Sequence, residues 1–192
     1  MTGVQTCALP ISMKHPRFKV VNELDQETWR LYNGFLFLLI RSQKLLPAEV
    51  TALNQSNFRI AKWLNEMPIY SQDKRGGNIP LLILQLHFII LESKTNVDAF
   101  DEVVNRTEAL RKYASRNLDK TSEHFRTDCF LCLIQLLIKN WHFPKELDVA
   151  AKPILAKMST VVSDLLDNSF EIEIVPYERQ WEWIRETVGR SI

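Results

Sequence analysis

The stretch from Ile79 to Leu91 constrains this chain more than any other, because it is apolar at nearly every position and interrupted only by Gln85 and His87. A bilayer-crossing helix needs roughly 20 such residues, and this stretch is shorter. Ile79, Leu81, Leu82, Ile83, Leu84, Leu86, Phe88, Ile89, Ile90 and Leu91 cover nearly every side of a helix, so the helix must be packed on several faces. Asn78 is placed to cap it, and Pro80 falls in the first turn, where a missing N–H costs nothing. The spacing therefore predicts a buried helix at the centre of the core.

The rest of the chain reads as helices that shelter it. Only 5 glycines occur in 192 residues, so few positions can supply the positive φ of tight β-turns. Asp25 to Lys44 carries Trp29, Tyr32, Leu36, Leu39 and Ile40 on one broad arc, with Asp25 as the expected N-cap and Pro47 as the stop. Ser56 or Asn57 can start a second helix through Phe58, Ile60, Ala61 and Leu64, ended by Pro68. Ser71 to Gly77 is the clearest loop.

From Val97 to Leu118 the apolar positions Phe100, Val103, Val104, Thr107, Leu110, Ala114 and Leu118 form one stripe. Asp101, Asn105, Glu108 and Lys112 lie opposite, as on an outer helix. Thr121 or Ser122 is expected to cap an inner helix containing Phe125, Cys129, Phe130, Cys132, Leu133, Leu136 and Leu137. Phe143-Pro144 opens a more polar helix, which Pro153 is expected to kink or interrupt before it continues through Ile154, Met158, Val161, Val162 and Leu165. Phe170, Ile172 and Ile174 alternate with Glu171 and Glu173 at the two-residue period of an extended segment. That segment, Phe170 to Val175, can add to a partner's sheet or run across the end of the helices; Pro176 then starts a last helix with Trp181, Ile184 and Val188 inward.

Apolar helices near Phe35, Leu81 and Phe130 thus alternate with amphipathic ones at a spacing of roughly 50 residues. Hairpins that cannot bury their apolar faces alone give this pattern by stacking on neighbours. The segments Ile79 to Leu91 with Phe100 to Leu118, and Phe125 to Ile138 with the Pro144 helix, resemble degenerate tetratricopeptide-type repeats. More loosely they resemble helical proteins of Bacteroidetes-like bacteria. The resemblance covers roughly Asn78 to Leu166 and lacks the strict signature of Trp, Leu-Gly, Tyr, Ala, Phe and Pro at a period of about 34. It implies an all-α fold of antiparallel hairpins stacked as a short right-handed α-solenoid, with one short extended segment near the C-terminus, serving as a scaffold for a partner.

Residues 2–11 resemble something else, the translation of a common short-read sequencing adapter. Residues 1–12 are accordingly set aside as a non-native, disordered segment, and residues 13–192 are expected to form a single helical domain, the C-terminal part of a longer protein.

Composition narrows the chemistry. The 24 Lys and Arg residues against 23 Asp and Glu leave a formal charge of +1, so no global basic field draws the chain to nucleic acid or anionic lipid. Three cysteines, Cys7, Cys129 and Cys132, are an odd and sparse set, and a reducing cytoplasm with no membrane partner is the expected location. Cys129-Phe130-Leu131-Cys132 is formally a C-x-x-C, yet zinc needs two further ordered ligands and redox work needs exposed, acidified thiols. Both cysteines share the arc of Phe125 and Leu136, so core packing is expected. His87 is expected to be a satisfied core or groove histidine, and no metal or cofactor is called for.

Lys112, Arg116 and Lys120 recur every four residues and form a ridge, although Glu108 precedes Lys112 in the favourable order for an ion pair. Arg111 lies near the apolar edge, where its stem can snorkel. Glu178, Glu182 and Glu186 form an acidic ridge on the last helix, read as solvated and opposite Trp181 and Ile184. Trp181 and Trp183 lie on nearly opposite sides, so that one packs and the other can anchor a partner.

The leading expectation is a non-enzymatic helical scaffold for a protein or peptide, with Lys112, Arg116, Lys120, Lys74, Arg75 and Trp183 as the candidate contacts. A second is a regulatory module touching nucleic acid through the Lys112, Arg116, Lys120 ridge with Lys74 and Arg75. A third is an enzyme with an inter-helix pocket near His87 and Gln85.

Overall fold

The computed structural model describes residues 23–44, 59–60, 63, 78–93, 99–118, 124–161 and 173–189. Its helices are α1 (Glu23–Arg41), α2 (Ile79–Glu92), α3 (Ala99–Asn117), α4 (Phe125–Lys139), α5 (Pro144–Met158) and α6 (Tyr177–Gly189). Among the described residues none is in a strand, and no helix is long and apolar enough to cross a membrane. The chain divides between Ile69 and Tyr70 into two compact units.

In the first unit, α1 begins before Asp25, which therefore sits inside the first turn rather than at the cap. Its buried centre is the run Phe35, Leu36, Phe37 and Leu38, while Trp29, Tyr32, Leu39 and Ile40 are half-buried. Trp63, one turn into the second helical stretch at residues 60 and 63, is buried and donates its indole N–H to the Arg30 carbonyl at 3.1 Å. The end of α1 is a Schellman motif: the Lys44 amide bonds the Leu39 carbonyl and the Gln43 amide the Ile40 carbonyl. That geometry needs a left-handed residue, and Gln43 supplies it at φ 57°. Glycine would hold the same turn without the Cβ penalty, so Gln43→Gly is expected to stabilise this unit by about 1 kcal/mol. A thermal unfolding midpoint that failed to rise would show that the Gln43 side chain contributes more than its backbone costs.

In the second unit, ten of the fourteen residues of α2 are buried. Ile79, Ile83, Leu86 and Ile90 form one face and join the main apolar cluster. At 100° per residue, the buried Leu81, Leu84 and Phe88 form the opposite face. A helix buried on two opposite faces lies between companions, as its composition requires. Asn78 does occupy the cap position, but its side chain makes no capping bond; its carbonyl accepts the Leu82 amide at 3.0 Å.

α3 pairs with α2 through Val103, Thr107, Leu110 and Ala114, all buried, and turns Asp101, Asn105, Glu108 and Lys112 to solvent. α4 buries Phe130, Leu133, Ile134 and Leu137 completely. Residues 140–143 link it to α5, and so short a connection makes the pair an antiparallel hairpin. α3 also meets α4, and Phe100 of α3 lies against Trp141 with ring centroids 5.2 Å apart.

α5 runs through Pro153 without interruption and ends at Met158, earlier than Leu165. Pro153 is exposed, so the carbonyl it leaves without an amide donor can be met by water. Residues 170–172 of the expected extended segment lie outside the described residues; of the rest, Ile174 and Val175 are bends and Glu173 has no regular structure. α6 then packs across α2, α4 and α5. Its buried Tyr177, Trp181, Ile184 and Val188 recur at helical spacing and complete the core.

Candidate functional site

The polar side chains of the second unit converge where α6 meets α2, α4 and α5, and Arg126 is their hub. Arg126, Phe130, Leu133 and Leu137 follow one helical face of α4, so the first turn of the helix carries a guanidinium on its core side. Its side chain is only 8% exposed. Nε donates to Glu173 at 2.8 Å and Nη2 to the same carboxylate at 2.7 Å, a bidentate fork. Nη2 also donates to Glu178 at 2.7 Å, and Nη1 to the Met158 and Val161 carbonyls at 3.0 and 2.9 Å. All five donors of the group are thereby used.

One cation caps the C-terminus of α5, where its charge suits the helix dipole, and holds two carboxylates at the start of α6, where theirs does. The Glu173 carboxylate also accepts the Tyr177 amide at 2.8 Å, satisfying a first-turn N–H of α6. Bonds and charge from the glutamates hold the guanidinium protonated more firmly than usual, against the effect of burial. For Glu178, burial alone would raise the carboxyl; the Arg126 bond, a backbone bond and the Arg126 charge outweigh it and leave the carboxyl below its ordinary range.

A second polar chain crosses to α2. Gln180 of α6 donates its amide N–H to the Val175 carbonyl at 2.6 Å, which turns its Oε1 toward His87 at 3.1 Å. His87 must then donate from Nε2–H, which leaves Nδ1 as the acceptor nitrogen. The ring is buried, and loss of hydration lowers its pKa to about 4, offset only partly by the Gln180 bond. The imidazole is neutral near pH 7 and works as an orienting contact between α2 and α6. A third contact joins the Thr127 and Tyr177 hydroxyls at 3.0 Å, with the Tyr177 ring stacked on Phe130 at 4.5 Å. Burial pushes the Tyr177 phenol above its ordinary pKa. On the rim, Arg185 forms a two-pronged ion pair with Asp148 of α5.

The sequence-expected contacts that are described fall on α3 and α6. Trp183 is half-buried, its ring 6.3 Å from His87 and edge-on to it, so it packs more than a free anchor would; Trp181 is buried. Lys112 and Arg116 are exposed on α3, and Lys112 reaches Glu108 at 3.8 Å. Lys74, Arg75 and Lys120 lie outside the described residues. Arg111 is exposed rather than tucked along the apolar edge.

The acidic ridge is split: Glu182 is exposed and pairs with Arg179 at 2.9 Å, whereas Glu178 turns inward to Arg126. Cys129 is buried, with its thiol pKa raised by desolvation, but Cys132 is exposed, so the two do not share the core. Among the described residues no three His, Cys, Asp or Glu side chains are grouped to hold a metal ion. Gln85 and Thr107 keep buried side-chain oxygens, Oε1 and Oγ1, with no hydrogen-bond partner among the described residues.

Sequence reading missed Arg126 and Glu173. The signal for Arg126 was its place on the Phe130, Leu133, Leu137 face; Glu173 was hidden inside an alternating stretch that looked like a strand. In comparison with known proteins, no family model, curated protein or solved structure matches the chain.

Proposed function

We propose that this chain is a non-enzymatic helical scaffold, a short stack of hairpins, that binds an acidic protein or peptide segment along the C-terminal half of α3. The observation that carries this reading is the side-chain arrangement on that helix. Arg111, Lys112 and Arg116 are all exposed and fall within one arc, while Val103, Thr107, Leu110 and Ala114 fasten the opposite face into the core. Arg111 and Arg116 make no ion pair among the described residues, and the Lys112–Glu108 pair joins two well-exposed groups at 3.8 Å, a weak link.

Exposed guanidinium forks on a rigid helix suit carboxylates bidentately, and the place of Arg116 in the last turn also suits the helix dipole. The interior groups have other work: the Arg126 donors are saturated, and the His87 imidazole is enclosed and neutral. The stacked-hairpin arrangement and the bacterial, cytoplasmic setting belong to this proposal as its framework.

The test places a photo-crosslinking amino acid at exposed Ser115, between these cations, in the native host. A discrete protein adduct, lost when Arg111, Lys112 and Arg116 are all changed to Glu, is the expected result. An adduct indifferent to that reversal, or none, overturns the proposal. A nuclease-sensitive adduct with a salt-dependent gel shift would overturn it in favour of nucleic acid, for which the same cations have the right charge.

A further inference from the structure

We infer that Cys129 and Cys132 of α4 form a two-coordinate, bis-thiolate site for a soft monovalent cation, Cu(I). The site shares no residue with the cationic face of α3, and the two readings stand or fall independently.

The two thiols lie three residues apart on one uninterrupted helix, Cys129 buried and Cys132 exposed. A pair packed wholly in the core is closed to solutes, whereas this one has an inner and an outer sulfur. Residues so spaced on a helix keep their Cβ atoms about 5–6 Å apart. A disulfide needs about 3.5–4.5 Å, so the helix must distort before the sulfurs can join. A metal ion between them asks for less: with metal–sulfur bonds of about 2.3 Å, two opposed sulfurs stand about 4.6 Å apart, within reach of both side chains. The backbone therefore favours a bridged dithiol over a bonded one.

The surroundings select the ion. Among the described residues no third His, Cys, Asp or Glu joins the pair to hold a metal, so four-coordinate zinc lacks its ligands. Soft thiolates alone suit Cu(I). Its complex carries one net negative charge, because two thiolates outnumber a single positive charge. Lys157, in the last turn of α5, is the cation placed to balance it: its Nζ lies over the ring of Phe125, 5.1 Å from the centroid and one turn before Cys129. Burial raises the Cys129 thiol; of the neighbouring charges Lys157 acts on it most strongly, toward the thiolate, with Cys132 and Asp128 opposing and Arg126 assisting. Both thiols release their protons to solvent as the ion enters, since a coordinated thiol is deprotonated outright.

The test uses the full chain, reduced and free of oxygen, with Cu(I) supplied as its coloured bicinchoninate complex. One equivalent per chain is expected to leave that complex, and X-ray absorption at the copper edge to show two sulfur neighbours and no nitrogen. Cys132→Ser lowers the affinity at least about 100-fold, more than the loss of a group outside the coordination shell would cost. Because Cys132 is exposed, this variant keeps the helical dichroism of the parent and the loss is one of ligation. Cys129→Ala produces a loss of the same order from the inner side, and Cys7→Ser changes nothing. Zn(II) supplied alone binds at least about 100-fold more weakly than Cu(I). Failure to draw Cu(I) from bicinchoninate, uptake that survives Cys132→Ser, or zinc held as tightly as copper overturns the proposal. One ion shared between two chains also overturns it, by making Cys132 a ligand between copies.

Discussion

Replacing Arg126 with methionine destabilises the second unit by about 3–5 kcal/mol, the cost of leaving buried charge uncompensated. The substitution keeps most of the side-chain volume and removes all five donors. Glu173 and Glu178 then face one another without their common cation, and the Met158 and Val161 carbonyls lose their donor. Arg126→Lys recovers only part of the loss, since an ammonium cannot reproduce the fork that meets Glu173 in two places. Changing Arg126, Glu173 and Glu178 together to apolar residues recovers more, because the penalty lies in the unpaired charges rather than in any large net gain from the pair. Recovery stays incomplete, because Glu173 also holds the Tyr177 amide. Urea unfolding of the three variants checks the order; a single Met variant as stable as the parent would show that α6 is not fastened through this group.

Acidification gives the second large effect. The unfolded chain protonates His87 near its ordinary 6.5, whereas the folded chain holds it neutral down to about 4. The unfolded state therefore binds more protons between these values. Stability from this group is complete above about pH 6.5, falls as pH falls toward 4, and levels off below that. At about 1.4 kcal/mol for each pH unit, the full loss is about 3 kcal/mol, with about 2 kcal/mol of it reached by about pH 5.

The depressed carboxyls of Glu178 and Asp148 act in the same direction but lower, as pH falls below the ordinary carboxylate range, so His87 dominates the upper part of the window. His87→Leu is less stable near neutrality, because the Gln180 Oε1 loses its donor, and its stability is nearly flat from about pH 7 to about pH 5. Chemical denaturation midpoints at those two values separate the cases. A parent protein as stable at the lower pH as at the higher would contradict the enclosure of the ring.

Both predictions concern polar groups, and those were the hardest to read from sequence. The helices themselves were legible because burial leaves a periodic trace: α2 is apolar on opposite faces, and α3 carries a single stripe through Val103, Thr107, Leu110 and Ala114. Boundaries were less legible. α1 starts ahead of its expected cap at Asp25, and α5 passes Pro153 because that residue lies on the solvent side, where an unmet carbonyl costs little.

Side-chain fate at the edge of a stripe was illegible for a geometric reason. Glu178 sits about 60° around the helix from Trp181, near enough to turn either way; which way is set by Arg126, on another helix. Cys132 is displaced from Cys129 by a similar angle and falls on the exposed side. Of the expected contact residues, Lys112 and Arg116 are exposed, whereas Trp183 is half-buried beside His87, a neighbour brought to it only by the packing of α6 on α2.

The account rests on α2 being buried on two opposite faces, with its one histidine held away from water by α6. Titration of the His87 ring by heteronuclear NMR reads that enclosure directly. The structure predicts a neutral ring protonated at Nε2 near pH 7 and a midpoint near 4. A midpoint near 6.5, with the ring exchanging freely between tautomers, would place His87 in solvent and contradict the packing from which every other inference starts.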